Sequence, residues 1–144
     1  VYPQFLHPDN EWYCPISLEE TFADKFIALA YRTRRIKPRD VWDLVWIKQQ
    51  GISVSHDLIA KKLEARDKPK TDFEQQLDAQ VEKLLTHEEV KEDFHMEMSR
   101  FIPKIVKERT LDNPDYWLYV QSEIKALSQQ VLNRSNSNPF DMSI

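Results

Sequence analysis

The sequence predicts an all-α protein: a helical bundle of five or six helices, preceded by a short extended or β segment at the N-terminus. Two observations carry that class. Gly51 is the single glycine in 144 residues, and β-rich folds spend glycine on turns and bulges. The apolar residues also recur at intervals of three and four rather than two, the period of a helix with one buried face. Hydrophobic residues at 41% and charged residues at 31% suffice for a core. They exclude both a disordered polyampholyte and a membrane protein.

Residues 1–16 are rich in proline and aromatics without helical spacing and read as extended chain. A strand here would have little else in the sequence to pair with, and the first residue is Val1 rather than Met. The expectation is therefore that residues 1–16 end a missing N-terminal half, that 17–133 form the helical domain, and that 134–144 are a polar tail. Helix one is predicted from a capping box of Ser17 and Glu20 to about Arg35. Leu18, Phe22, Phe26 and Leu29 lie on one stripe of it, facing a core.

The second helix is predicted to start at Pro38, a good first-turn residue, and to stop at Gly51, which takes a left-handed cap cheaply. Apolar residues surround most of its circumference, so Trp42 and Trp46 should be mostly buried and the helix should pack antiparallel to the first. Ser55 caps a third helix to about Arg66. Thr71 with Glu74 opens a fourth, and Thr86 with Glu89 a fifth. Pro103 should end or kink the fifth, and Asn113 and Pro114 start a last helix reaching about Asn133.

Charge is distributed unevenly along the chain. The segment Arg32 to Arg39 reads RTRRIKPR, with five basic residues in eight and no acid. Arg32, Arg34, Arg35, Lys37 and Arg39 would attract phosphate there. The plainer alternative is a solvated loop whose arginines screen helix carbonyls. Lys25 can meet Asp40 and Asp43 if the two helices are antiparallel, either as an ion pair stapling the core or as a cation placed beside phosphates. Between Thr71 and Met98 nine acids face two lysines, which reads as a solvated surface or as one that meets a basic partner. Glu92 and His95 make one Glu-x-x-His pair where a di-iron bundle needs two, and His7, His56 and His87 fit no pattern. No metal site is expected.

The stretch Ser17 to Gln50, SLEETFADKFIALAYRTRRIKPRDVWDLVWIKQQ, resembles the AbiEii/AbiGii toxin-type nucleotidyltransferase family. Members carry a Glu-x-x-x-x-Lys-x-x-Ala-Leu helix, a basic turn, and then Arg-Asp-x-x-Asp-Leu. Here these are Glu20, Lys25, Ala28, Leu29, Arg32, Arg39, Asp40, Asp43 and Leu44. The resemblance implies the C-terminal helical portion of a DNA-polymerase-β-like nucleotidyltransferase, a toxin of abortive-infection or toxin–antitoxin systems. It implies that Lys25 contacts nucleotide phosphate and that Asp40 or Asp43 orders the site. A nucleoside triphosphate, a tRNA or protein acceptor and an antitoxin protein are the implied partners.

The family's metal half is not recognisable in this sequence. Two metals would clamp the attacking and leaving oxygens, held by a Gly-Ser and an Asp-x-Asp strand, and the chain has no Gly-Ser. The expectations are that this chain holds no cofactor and is inactive alone, whereas a full-length enzyme would use Mg2+. A lone cysteine, Cys14, and the lack of an apolar run beyond Phe26 to Tyr31 point to a cytoplasmic protein away from membranes. The competing reading is a non-catalytic helical module that binds protein or RNA.

Overall fold

A computed structural model describes residues 15–133 and contains, among them, seven helices and no strand. In chain order these are α1 (Pro15–Tyr31), α2 (Pro38–Gln49), α3 (His56–Ala65), α4 (Lys70–Thr86), α5 (Glu88–Phe101), α6 (Lys104–Arg109) and α7 (Tyr116–Asn133). The fold is all-α, with one helix more than expected. Residues 1–14 and the tail 134–144 lie outside the described residues, while Pro15 and Ile16 already belong to α1.

The boundaries show which local signals prevailed. Ser55 caps α3 as the spacing predicts, its Oγ accepting from the Leu58 amide at 3.2 Å. Gly51 follows α2 at φ +82° and has open space where a Cβ would stand, so backbone conformation, not crowding, selects glycine there. Helix one ends at Tyr31, not Arg35. Pro38 disfavours helical backbone at Lys37, which sits at ψ 120°, and Ile36 turns inward to 6% exposure.

The capping boxes expected at Ser17, Thr71 and Thr86 do not form helix starts. Ser17 and Thr71 fall inside helices that open at Pro15 and Lys70. Only His87 separates α4 from α5, so Thr86 still belongs to α4 and its hydroxyl donates back to the Glu82 carbonyl at 2.8 Å. Pro103 ends α5 and also opens the additional short helix α6. Asn113 starts the approach to α7, its side-chain oxygen accepting from the Asp115 amide at 2.9 Å.

α1 is the central element, packed against α2, α3 and α4, with α4 backed by α7 and α2 by α5 and α7. The predicted stripe Leu18, Phe22, Phe26 and Leu29 is fully buried. Phe22 and Phe26 lie 5.1 Å apart, ring centroid to ring centroid. α2 turns Val41, Leu44, Val45 and Ile47 into the core, while Trp42 and Trp46 are only partly buried along its outer edge. Trp42 packs against Phe94 of α5 and Tyr116 of α7, so an aromatic seam joins those three helices. Gln80 closes the C-terminus of α1: buried in α4, it donates to the Leu29 and Arg32 carbonyls, both at 2.9 Å. Those carbonyls would otherwise be orphans of the helix end.

Candidate functional site

The α1–α2 hairpin places its charged residues by register. Arg32 and Lys25 lie two turns apart on α1 and its end, and both reach Asp40 in the first turn of α2. Lys25 reaches Asp43 as well. This order, descending along α1 as it ascends along α2, is that of an antiparallel pair.

Asp40 is 1% exposed and has a cation on each carboxylate oxygen: Lys25 Nζ at 3.1 Å and Arg32 Nη1 at 2.8 Å. A buried carboxylate needs such partners to keep its charge. Asp43 pairs with the same lysine at 3.0 Å but is only partly buried and lines a cleft on the outer side of α2. Burial works against the charge on Lys25, but Asp43 and Asp40 together outweigh it and hold the ammonium above the ordinary lysine range. Burial pushes the Asp43 carboxyl up, against the pull of Lys25 and Arg39. Lys25 therefore stays cationic at neutral pH, pinned between two carboxylates, with its side chain still 26% exposed.

The five basic residues of the turn do not act as one patch. Arg32 is committed to Asp40. Arg35 is clamped by α5, donating to Asp93 at 2.7 and 2.9 Å and to Glu97. Arg39 lies over the Phe101 ring at 4.8 Å. The side chains of Arg34 and Lys37 are exposed and make no ion pair or hydrogen bond with the described residues, although the Lys37 carbonyl accepts from the Asp40 amide at 3.0 Å. Lys83 of α4 holds the turn from below, donating to the Thr33 carbonyl at 3.0 Å. With Ile36 buried and Lys83, Gln80 and Arg35 fixed, the turn is a braced structure from which Arg34 and Lys37 project.

Several contacts escaped sequence reasoning. Two acids of the acidic stretch, Asp93 and Glu97 of α5, meet Arg35 of the basic turn, while Asp78, Glu82, Glu88, Glu89 and Glu92 are exposed, as a solvated surface would be. The complementary blocks, five bases without an acid and nine acids beside two lysines, were the available signal. The cleft, about 500 Å³, is lined by Trp42, Trp46, Phe101 and Tyr116 together with Arg39 and Asp43. Trp42 and Trp46 were read only as core, because helical periodicity does not separate a core aromatic from one at a cleft edge. Glu92 and His95 are both exposed on α5.

The residues of the hairpin do not fit a magnesium centre. Both oxygens of Asp40 and one of Asp43 already face ammonium or guanidinium groups, whose charge opposes a dication. Among the described residues no group of three or more His, Cys, Asp or Glu side chains could hold a metal. No helix among them is long and apolar enough to cross a membrane.

The site thus belongs to the class of helical units that present a fixed cation beside a basic turn. The chain is a member of the AbiEii family, described as the nucleotidyl transferase AbiEii toxin of type IV toxin–antitoxin systems, whose family model matches residues 14–122. The match extends well past Ser17 to Gln50, through α3, α4, α5 and α6 into α7. No curated protein and no solved structure matches the chain significantly.

Proposed function

We propose that this chain is the helical part of a nucleotidyltransferase toxin, in which Lys25 contacts the triphosphate of the bound nucleotide. The observation that carries the reading is the state of Lys25: an ammonium fixed by Asp40 and Asp43, held above its ordinary range, and still reaching solvent. When the oxygen of an acceptor bonds to the α-phosphorus and pyrophosphate leaves, negative charge builds on the phosphate oxygens. A cation already fixed in place stabilises that charge without reorganising during the reaction. Asp40 is the structural member, since its oxygens are saturated, and Asp43 is the member that orders the site. Arg34 and Lys37 add sequence-independent attraction for phosphate. Arg32, Arg35 and Arg39 set the shape of the turn.

The acceptor is a tRNA or a protein, an antitoxin protein counters the activity, and Mg2+ is held by residues other than those of the hairpin. Labelled nucleotide incorporation by the native full-length protein tests the reading. Lys25→Met should lower transfer by about 100-fold or more, the usual cost of losing one donor matched to transition-state charge, in a protein that remains folded. Undiminished transfer by the folded variant refutes it. The reading of the helical unit as a non-catalytic binding module then takes its place.

A further inference from the structure

We infer that the cleft on the outer side of α2 binds a nucleobase. The inference rests on the nucleotide-handling role proposed for Lys25 and extends it to the other end of the ligand. Asp43 connects the two places: one of its oxygens holds Lys25 at 3.0 Å, and its side chain also forms part of the cleft wall. A ligand with phosphates at Lys25 and the basic turn has its base directed along α2, past Asp43.

The cleft has the chemistry for a base. Its volume, about 500 Å³, falls in the range of small-molecule sites. Trp46 and Phe101 are among its lining residues, and Phe101 is 57% exposed. Flat aromatic faces accept any base by stacking. Arg39, already over Phe101 at 4.8 Å, extends that platform with a planar cation.

Hydrogen-bonding groups stand at the rim of the same space. Gln50 and Asp43 are part of its lining, which provides an amide and a carboxylate for the edge of a base. Tyr116 is also part of the lining. Burial, with Tyr119 beside it, pushes the Tyr116 phenol above its ordinary range, so the group remains a neutral donor. A base offers polar edges to Gln50 and Asp43, which a lipid or purely apolar ligand does not.

The test uses calorimetry and indole NMR on this chain. The probes are a ribonucleoside, the matching triphosphate, inorganic tripolyphosphate and a short single-stranded RNA. The triphosphate should bind at least about fivefold more tightly than tripolyphosphate, the smaller end of what base–aromatic stacking supplies. Phe101→Ala should erase that gap, and the Trp46 indole signal, assigned with Trp46→Leu, should move on adding the nucleoside. If mononucleotides show no gap but RNA binding falls at least about fivefold in Phe101→Ala, the base in the cleft comes from a strand and the inference holds. Lys25→Met should weaken tripolyphosphate binding and leave the nucleoside unaffected, so failure of the phosphate reading and failure of the cleft reading are separable. Equal affinities for triphosphate and tripolyphosphate, with RNA binding indifferent to Phe101→Ala, overturn the inference. Because Phe101 is exposed, that variant tests the cleft even if Trp46→Leu does not fold.

Discussion

Replacing Asp40 by asparagine separates the two aspartates of the hairpin. Asp40 is fully buried, with Lys25 at 3.1 Å and Arg32 at 2.8 Å. Removing one member of a buried pair typically costs about 3–5 kcal/mol, because the remaining charge is stranded. Neither cation is fully stranded here. Lys25 keeps Asp43 at 3.0 Å, and the Arg32 side chain, 46% exposed, returns to water. The expected loss is therefore about 2–3 kcal/mol once solvent screening is allowed for. For a chain of this size that lowers Tm by roughly 6–12 °C. Asp43→Asn should cost no more than about 1 kcal/mol, because burial already opposes the ionised Asp43 and offsets much of its attraction to Lys25. Far-UV circular dichroism melts of both variants beside wild type make the comparison. Equal losses, or a larger loss for Asp43→Asn, would refute the assignment of Asp40 as the structural carboxylate.

Alkaline pH should loosen the α1 hairpin and its contact with α4. Lys25 is raised above 10.5, and burial together with the bond to Asp72 pushes Tyr31 from 10.0 to about 12. Both groups bind protons more tightly when folded, so their stabilisation is complete below about pH 10; the Lys25 part is lost as pH rises above the ordinary lysine range, and the Tyr31 part is lost as pH rises towards 12. Tyr31→Phe should flatten that part of the stability profile, and an unchanged slope would count against the Tyr31 assignment. Gln80→Leu leaves the Leu29 and Arg32 carbonyls without the amide, and urea unfolding should register a loss of about 2–4 kcal/mol. A loss under about 0.5 kcal/mol would mean that other groups satisfy them. Arg34→Gln with Lys37→Gln should weaken tripolyphosphate binding and its salt dependence, whereas Arg35→Gln should leave both nearly unchanged, since Arg35 is held by Asp93 and Glu97. The opposite ranking would show that the α5 clamp opens to ligand.

Much of the hairpin was legible because its signals are local. The four-residue and three-residue steps from Leu18 to Leu29, the proline at 38 and the glycine at 51 each dictate backbone or burial by themselves. The meeting of Lys25 with Asp40 and Asp43 followed from antiparallel packing, and the structure brings all three together. Capping boxes were less informative, because Ser or Thr three residues before Glu also occurs inside a helix, as at Thr71, where Pro69 supplies the start instead. Which basic residues are free could not be read from RTRRIKPR alone. Arg34 and Arg35 are adjacent and chemically identical, and only the arrival of α5, about 60 residues later, takes one and leaves the other. The cleft was hidden for the same reason, since its walls come from α2, α5, α6 and α7 and no short window contains them.

The central claim, that the Lys25 ammonium touches nucleotide phosphate and does not merely staple two helices, is tested most directly by observing that ammonium. Lysine side-chain 15N NMR of this chain, with Lys25→Met to assign the signal, follows Nζ as a nucleoside triphosphate is added. The Lys25 resonance should move in a saturable way, and Lys25→Met should weaken triphosphate binding by about tenfold or more, as expected for losing a charge-assisted contact. A Lys25 resonance that stays in place while the triphosphate binds, with equal affinity for Lys25→Met and wild type, would contradict it and leave Lys25 as a brace for Asp40 and Asp43.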